Sequence, residues 1–145
     1  MNELSEELKK ALADTFAFAL KSQNFHWNVE GPNFVQLHGF FGDLYEDAFG
    51  AVDAIAEHIR TLNAYAPGSF SRFKDLTSIQ DEVNVPSAMS MVVKLTDDNA
   101  KVISTLTSAM KIADKNGKAN ISNFLQDRID THEKHGWMLR ATSKA

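Results

Sequence analysis

The chain has 145 residues, of which 43% are hydrophobic, and a formal net charge of −4. This length supports one well-packed core, so we expect residues 1–145 to form a single domain, and the negative charge disfavours binding to a phosphate backbone. Because the sequence contains no cysteine, disulfides and thiolate metal sites are excluded, and any metal must be bound by His, Asp or Glu.

The segment from Met1 to Lys10 mixes acidic and basic residues and lacks the apolar stretch of a signal peptide. No apolar run of the chain approaches the length that spans a bilayer. We therefore expect a soluble, cytoplasmic protein with no membrane partner.

The first predicted helix runs from Leu4 to Trp27 and ends where Gly31 and Pro32 favour a turn. A second helix is predicted from about Phe34 to Asn63. In the first helix, apolar residues recur at the steps of three or four that are typical of an amphipathic helix: Leu4, Leu8, Leu12, Phe16, Leu20 and Trp27.

Residues 63–85 predict a long connection that contains about one helical turn. Pro86 fits the first turn of a third helix, which Asn116 and Gly117 should end, and a fourth helix should follow to about Arg140. The fold class is therefore all-α. Four helices with one long crossover between the second and the third match the ferritin-like four-helix bundle.

Several candidate metal ligands lie in the first half of the chain. They are His26, His38, Asp53 and Glu57, with Asp43 or Glu46 as less certain additions. Imidazole mixed with carboxylate suits iron, manganese or zinc. The remaining histidines, His58, His132 and His135, are interpreted as structural or surface residues.

Asp53 and Glu57 are one helical turn apart, so both carboxylates can bind one metal. His38 lies ~15 residues earlier on the same helix, which corresponds to ~22 Å along its axis. Metal–ligand bonds are only about 2 Å long, so His38 and Asp53 of one chain cannot bind the same ion. If both bind one site, two chains must share it, and antiparallel pairing about a two-fold axis would create two such sites.

Three stretches around and beyond these ligands stand out: residues 24–34 (NFHWNVEGPNF) with Leu37-His38, residues 53–60 (DAIAEHIR) and residues 133–140 (EKHGWMLR). Their resemblance is to the Dps family of ferritin-like proteins. It implies a hollow homo-oligomeric cage, a dodecamer built from two-fold dimers, that stores iron and detoxifies it.

The same resemblance implies a ferroxidase centre in which ferrous iron is oxidised, preferably by hydrogen peroxide, with oxygen as the other oxidant. One subunit would contribute His26 and His38, and its mate Asp53 and Glu57, with Trp27 beside the centre. Zinc or manganese could occupy the same site.

Gly42 departs from the family pattern, which usually has a carboxylate one turn after the second histidine. The activity is therefore predicted to be weakened, and Gly42→Asp to restore a ligand unless the new side chain clashes. The alternative function is a Dps-like cage that acts mainly as a DNA-binding or structural protein.

Two further expectations concern the cage surface. The family resemblance implies an iron-entry pore near the last helix, for which Asp127, Asp130 and Glu133 are the candidates, although a solvated helix face explains them equally well. Nucleic-acid binding is expected to be weak or absent, since the net charge is negative and no lysine-rich segment precedes the first helix.

Overall fold

The computed structural model describes residues 2–144; Met1, at which the charged N-terminal segment starts, and Ala145 lie outside the described residues. The helices are α1 (Asn2–Asn28), α2 (Phe34–Thr61), α3 (Phe70–Leu76), α4 (Ala88–Lys115) and α5 (Ala119–Thr142). The predicted all-α bundle with a long crossover is confirmed. In residues 2–144, no helix is long and apolar enough to cross a membrane.

The four long helices form two hairpins that pack on each other through α1 and α4. Asp14 of α1 contacts Thr105 of α4, and Lys21 contacts Asp98. Residue numbers that rise on α1 thus pair with numbers that fall on α4, so these two helices are antiparallel. Because the short turn also makes α1 and α2 antiparallel, α2 and α4 run in the same direction, which only a long crossover permits.

Asp14 fixes the crossover to the bundle. Its buried carboxylate accepts hydrogen bonds from the hydroxyls of Thr77 and Thr105 at 2.7 Å, and from the backbone N–H and hydroxyl of Ser78 at 2.7 and 3.0 Å. Four donors offset the cost of burying this acidic side chain. The crossover is therefore held along α1 by polar contacts as well as by apolar ones.

Two helix ends agree with the turn signals of the sequence. Gly31 and Gly117 adopt φ of +121° and +69°, and α4 ends at Lys115 with Lys118 donating its backbone N–H to the carbonyl of Ala113 at 2.9 Å. This 6→1 bond satisfies a carbonyl that the helix end leaves unpaired.

Two details of the predicted helices are wrong. Pro86 lies before α4 instead of in its first turn, because Ser87 is the N-cap and its hydroxyl accepts from the N–H of Ser90. Leu20 is 46% exposed, whereas Phe18 and Phe25 are fully buried. A stripe followed in steps of four rotates by ~40° per step, so by Leu20 it has left the core face.

Candidate metal centre

His26 and His38 form a reciprocal pair at the turn between α1 and α2. Each Nδ1 lies 2.6 Å from the backbone carbonyl oxygen of the other residue, and the two rings stack with centroids 3.9 Å apart and planes 14° apart. A carbonyl oxygen can only accept, so each Nδ1 must carry the hydrogen. In the neutral rings this leaves the lone pair on both Nε2 atoms, which is the tautomer that binds a metal.

The packing around the turn positions this pair. Phe25 and Phe41 are fully buried with ring centroids 6.3 Å apart, so they join the end of α1 to the second turn of α2. Phe34 stacks on His38 at 5.1 Å and extends the pair to three rings. Both histidines are half-buried. Their rings are thus held by hydrogen bonds, stacking and the packed hairpin, and remain partly exposed.

Gly42 is in contact with this pair. A Cβ atom built on Gly42 would lie 2.9 Å from Nδ1 and 3.0 Å from Cε1 of His26, closer than real Cβ contacts. The space where the sequence predicts a missing ligand is therefore occupied by the His26 ring. The condition attached to Gly42→Asp, that its side chain meets no clash, holds only if the His26 ring moves, so the expected gain in oxidation stays a prediction.

Asp53 and Glu57 lie exposed on α2. Their carboxyl groups share a hydrogen bond, and this bond, together with the repulsion between the two charges, raises the pKa of Glu57. Two carboxyl groups close enough to share a proton are also close enough to bind one cation. The predicted one-turn spacing thus brings both side chains together.

The histidine pair and the carboxylate pair do not combine within one chain. In residues 2–144, no group of three or more His, Asp and Glu side chains is arranged to bind a metal. This agrees with the separation along α2 that the sequence predicts. Each chain carries two separate groups of candidate ligands, one of two imidazoles and one of two carboxylates.

The accessory candidates are exposed residues of α1 and α2. Trp27 is 62% exposed and directly follows His26, and Glu46 is exposed on α2. Asp43 is exposed too and lines a cavity of about 440 Å³ between α2 and α5. On α5, the predicted pore residues Asp127, Asp130 and Glu133 are exposed, and their role in a pore stays a prediction.

A buried polar network joins α2 to α5. Arg128 donates to both carboxylate oxygens of Asp47 at 3.0 and 2.8 Å, and Nε2 of His135 lies 2.8 Å from Asp47 Oδ2. Burial raises the pKa of Asp47, but the hydrogen bonds from His135 and Arg128 outweigh it and hold the pKa well below its usual range. Sequence patterns did not single out Asp47 or Arg128, because their pairing depends on how α2 and α5 pack.

His132 completes this network and is fully buried. Its Nδ1 donates to the side-chain oxygen of Asn99 at 2.8 Å, while Arg128 lies 3.0 Å from its Nε2. Burial, assisted by the positive charge of Arg128, lowers the pKa of His132 to about 3. With both ring nitrogens engaged, His132 is structural, as the sequence interpretation held. The ring of His58 packs against Phe124, with centroids 4.8 Å apart and planes tilted by 51°.

The comparisons with known proteins agree with this architecture. The ferritin-like domain family matches residues 5–144. DNA protection during starvation protein 2 of Bacillus anthracis is 32% identical over 139 residues, which cover 96% of this chain and 95% of that one. The chain belongs to the Dps family of ferritin-like proteins. An uncharacterised low-temperature-induced protein of Nostoc, all0458, is 35% identical over 92% of this Dps chain and 76% of its own length.

A solved structure shows the same fold. The Dps protein of Bacillus brevis superposes with a TM-score of 0.94 and 29% identity, over 99% of this chain and 96% of that one. The bundle and the long crossover thus follow the fold of a Dps protein.

Proposed function

We propose that this Dps protein oxidises ferrous iron at centres shared by two subunits and stores the ferric product inside a dodecameric cage. The observation that carries the proposal is the histidine pair, whose Nδ1 atoms are both committed to backbone carbonyls and whose Nε2 lone pairs are therefore available. The carboxylate pair of Asp53 and Glu57 supplies the complementary half-site on α2.

The chemistry of the residues fits ferrous iron as the substrate. Two neutral imidazoles and two carboxylates provide the mixed nitrogen and oxygen ligands that iron accepts, and the carboxylates also stabilise the higher charge of the ferric ion. Oxidation of two ferrous ions releases two electrons; hydrogen peroxide takes up both, its O–O bond breaks, and two protons complete two water molecules. Zinc or manganese would compete for the same ligands without this net reaction.

Burial of the two half-sites in one interface also explains the exposed apolar residues nearby. Trp27, Phe34 and Phe49 are 62, 40 and 50% exposed in the single chain. Large apolar side chains left exposed beside each part of an incomplete site are typical of a surface that a partner covers. A second copy, placed antiparallel about a two-fold axis, would cover them and bring histidines to carboxylates.

The test is iron oxidation by the assembled protein. Purified protein is loaded with ferrous iron without oxygen, peroxide or air is added, and the product is followed by absorbance and by sedimentation. We expect rapid oxidation and ferric iron that sediments with a large soluble particle. The His26→Ala/His38→Ala variant is the matched control and should oxidise no faster than free iron. Equal rates in both proteins would contradict the proposal.

A further inference from the structure

The glycines of α2 differ in what surrounds them. A Cβ atom on Gly39 or Gly50 would have no neighbour within 4 Å, whereas a Cβ atom on Gly42 would collide with His26. A glycine weakens a helix relative to alanine, so it needs a reason at an interior position. Only at Gly42 does the described chain itself give that reason.

The His26 ring cannot move aside freely. Its Nδ1 donates to the carbonyl of His38, its own carbonyl accepts from Nδ1 of His38, and the two rings are stacked. Phe34 stacks on the outer side of His38 and limits that ring as well. A side chain at position 42 would therefore displace both imidazoles, because each is tied to the other.

We propose that Gly42 is a positioning residue of the metal centre: its bare backbone lets the His26 ring lie against α2 and pair with His38. This inference rests on the proposed function and deepens it. It replaces the interpretation of Gly42 as a lost ligand, since the ring occupies the space where a side chain would begin. The family pattern places a carboxylate at this position, so the chain uses a different local solution for its histidines.

The affinity of the centre for a metal ion measures directly how much Gly42 contributes to positioning the histidines. Co²⁺ is titrated without oxygen into the assembled wild type, Gly42→Ala, Gly42→Asp and Gly39→Ala, and the visible absorption of the bound ion is recorded. Supporting groups around metal ligands typically contribute 10–100-fold to affinity, so we expect Gly42→Ala to bind Co²⁺ about tenfold more weakly. Gly42→Asp should also bind more weakly. Gly39→Ala, which meets nothing within the chain, should resemble the wild type once its assembly size is shown to be unchanged.

A double-mutant cycle of melting temperatures tests the contact between Gly42 and the His26 ring without metal. Gly39→Ala should raise the melting temperature by about 3 °C, because alanine favours the helix. Gly42→Ala should raise it less, or lower it, in the wild-type background. In the His26→Ala background the ring is gone, and Gly42→Ala should then raise it about as much as Gly39→Ala does.

The outcomes separate the two proposals. Wild-type protein that binds no Co²⁺ and oxidises no iron would overturn the proposed function. Wild-type binding combined with an unchanged affinity in Gly42→Ala, or with a tighter ion in Gly42→Asp, would overturn the role of Gly42 alone. An equal thermal gain from Gly42→Ala in both backgrounds would also overturn it.

Discussion

Helix α2 carries two sets of ionisable groups with opposite character. Asp47 lies in a network in which two residues of α5 hold its carboxylate. Asp53 and Glu57 lie ~120° and ~80° around the helix from Asp47, face solvent and lie next to each other. The same residue type thus supports the fold where its partners are present and remains available for chemistry where they are not.

The histidines show the same contrast. Both ring nitrogens of His132 have partners within the chain, and the residue is fully buried. His26 and His38 each use only Nδ1 in their reciprocal bonds. A histidine whose two ring nitrogens both have hydrogen-bond partners within the chain is structural. A histidine with only one nitrogen bonded keeps the other available and is a candidate metal ligand.

The largest expected effect comes from removing the available carboxylates. Asp53→Asn/Glu57→Gln should lose iron oxidation at least about a hundredfold, because even supporting groups of metal sites contribute 10–100-fold. The free energy of unfolding should not fall, since the change removes the repulsion between two exposed carboxylates. Stopped-flow oxidation and denaturant unfolding of the same preparations measure both quantities. A fully active variant would show that these carboxylates are not ligands.

Asp47→Ala should have the opposite effect: it should lower the free energy of unfolding and not act on iron oxidation directly. It leaves Arg128 without its carboxylate partner in a mostly buried position, and breaking a buried ion pair costs about 3–5 kcal/mol. We expect about 3 kcal/mol, because the Asp47 side chain is 28% exposed and solvent screens part of the loss. The matched control is Asp43→Ala, which changes an exposed residue one turn earlier and should alter stability by less than about 0.5 kcal/mol. Similar losses in both variants would contradict the structural role of the network.

A smaller effect should appear with pH. The pKa of His132 is about 3 in the folded chain, against 6.5 for an ordinary histidine, so the unfolded state takes up a proton first as pH falls. Stability from this residue is complete above about pH 6.5 and decreases towards pH 3. At pH 5 the loss should be about 2 kcal/mol per subunit.

His132→Gln keeps a polar side chain that does not titrate, and it serves as the control for this pH dependence. Between pH 7.5 and pH 5 its stability should change by less than that of the wild type, although its stability at neutral pH will be lower. Denaturant unfolding at both pH values gives the comparison. Parallel changes in the two proteins would show that other groups cause the acid sensitivity.

Local sequence signals predicted the parts of the fold that depend on neighbouring residues. Gly31 and Gly117 gave correct helix ends because a left-handed turn favours glycine wherever the helices pack. The one-turn spacing of Asp53 and Glu57 correctly placed their carboxyl groups together, because residues four apart are neighbours on any α-helix. The start of α4 and the exposure of Leu20 were harder to predict, because Ser87 competes with Pro86 for the helix start and the core face depends on the packing of α1.

The contacts between distant segments could not be derived from spacing. The reciprocal bonds of His26 and His38 depend on the exact approach of α1 to α2, and the collision at Gly42 depends on the resulting position of one ring. The pairing of Asp47 with Arg128 depends on how α5 lies against α2. These are tertiary distances, and a one-dimensional pattern contains only separations along the chain.

Complementation between two damaged subunits tests the shared centre most directly. One chain carries His26→Ala/His38→Ala, the other Asp53→Ala/Glu57→Ala, and the two are co-assembled after each is shown to be inactive alone. Each mixed dimer should contain one intact centre and one doubly damaged one, so random mixing should restore about a quarter of the wild-type oxidation rate. Proven mixed dimers without any recovery would show that histidines and carboxylates of different subunits do not form the site.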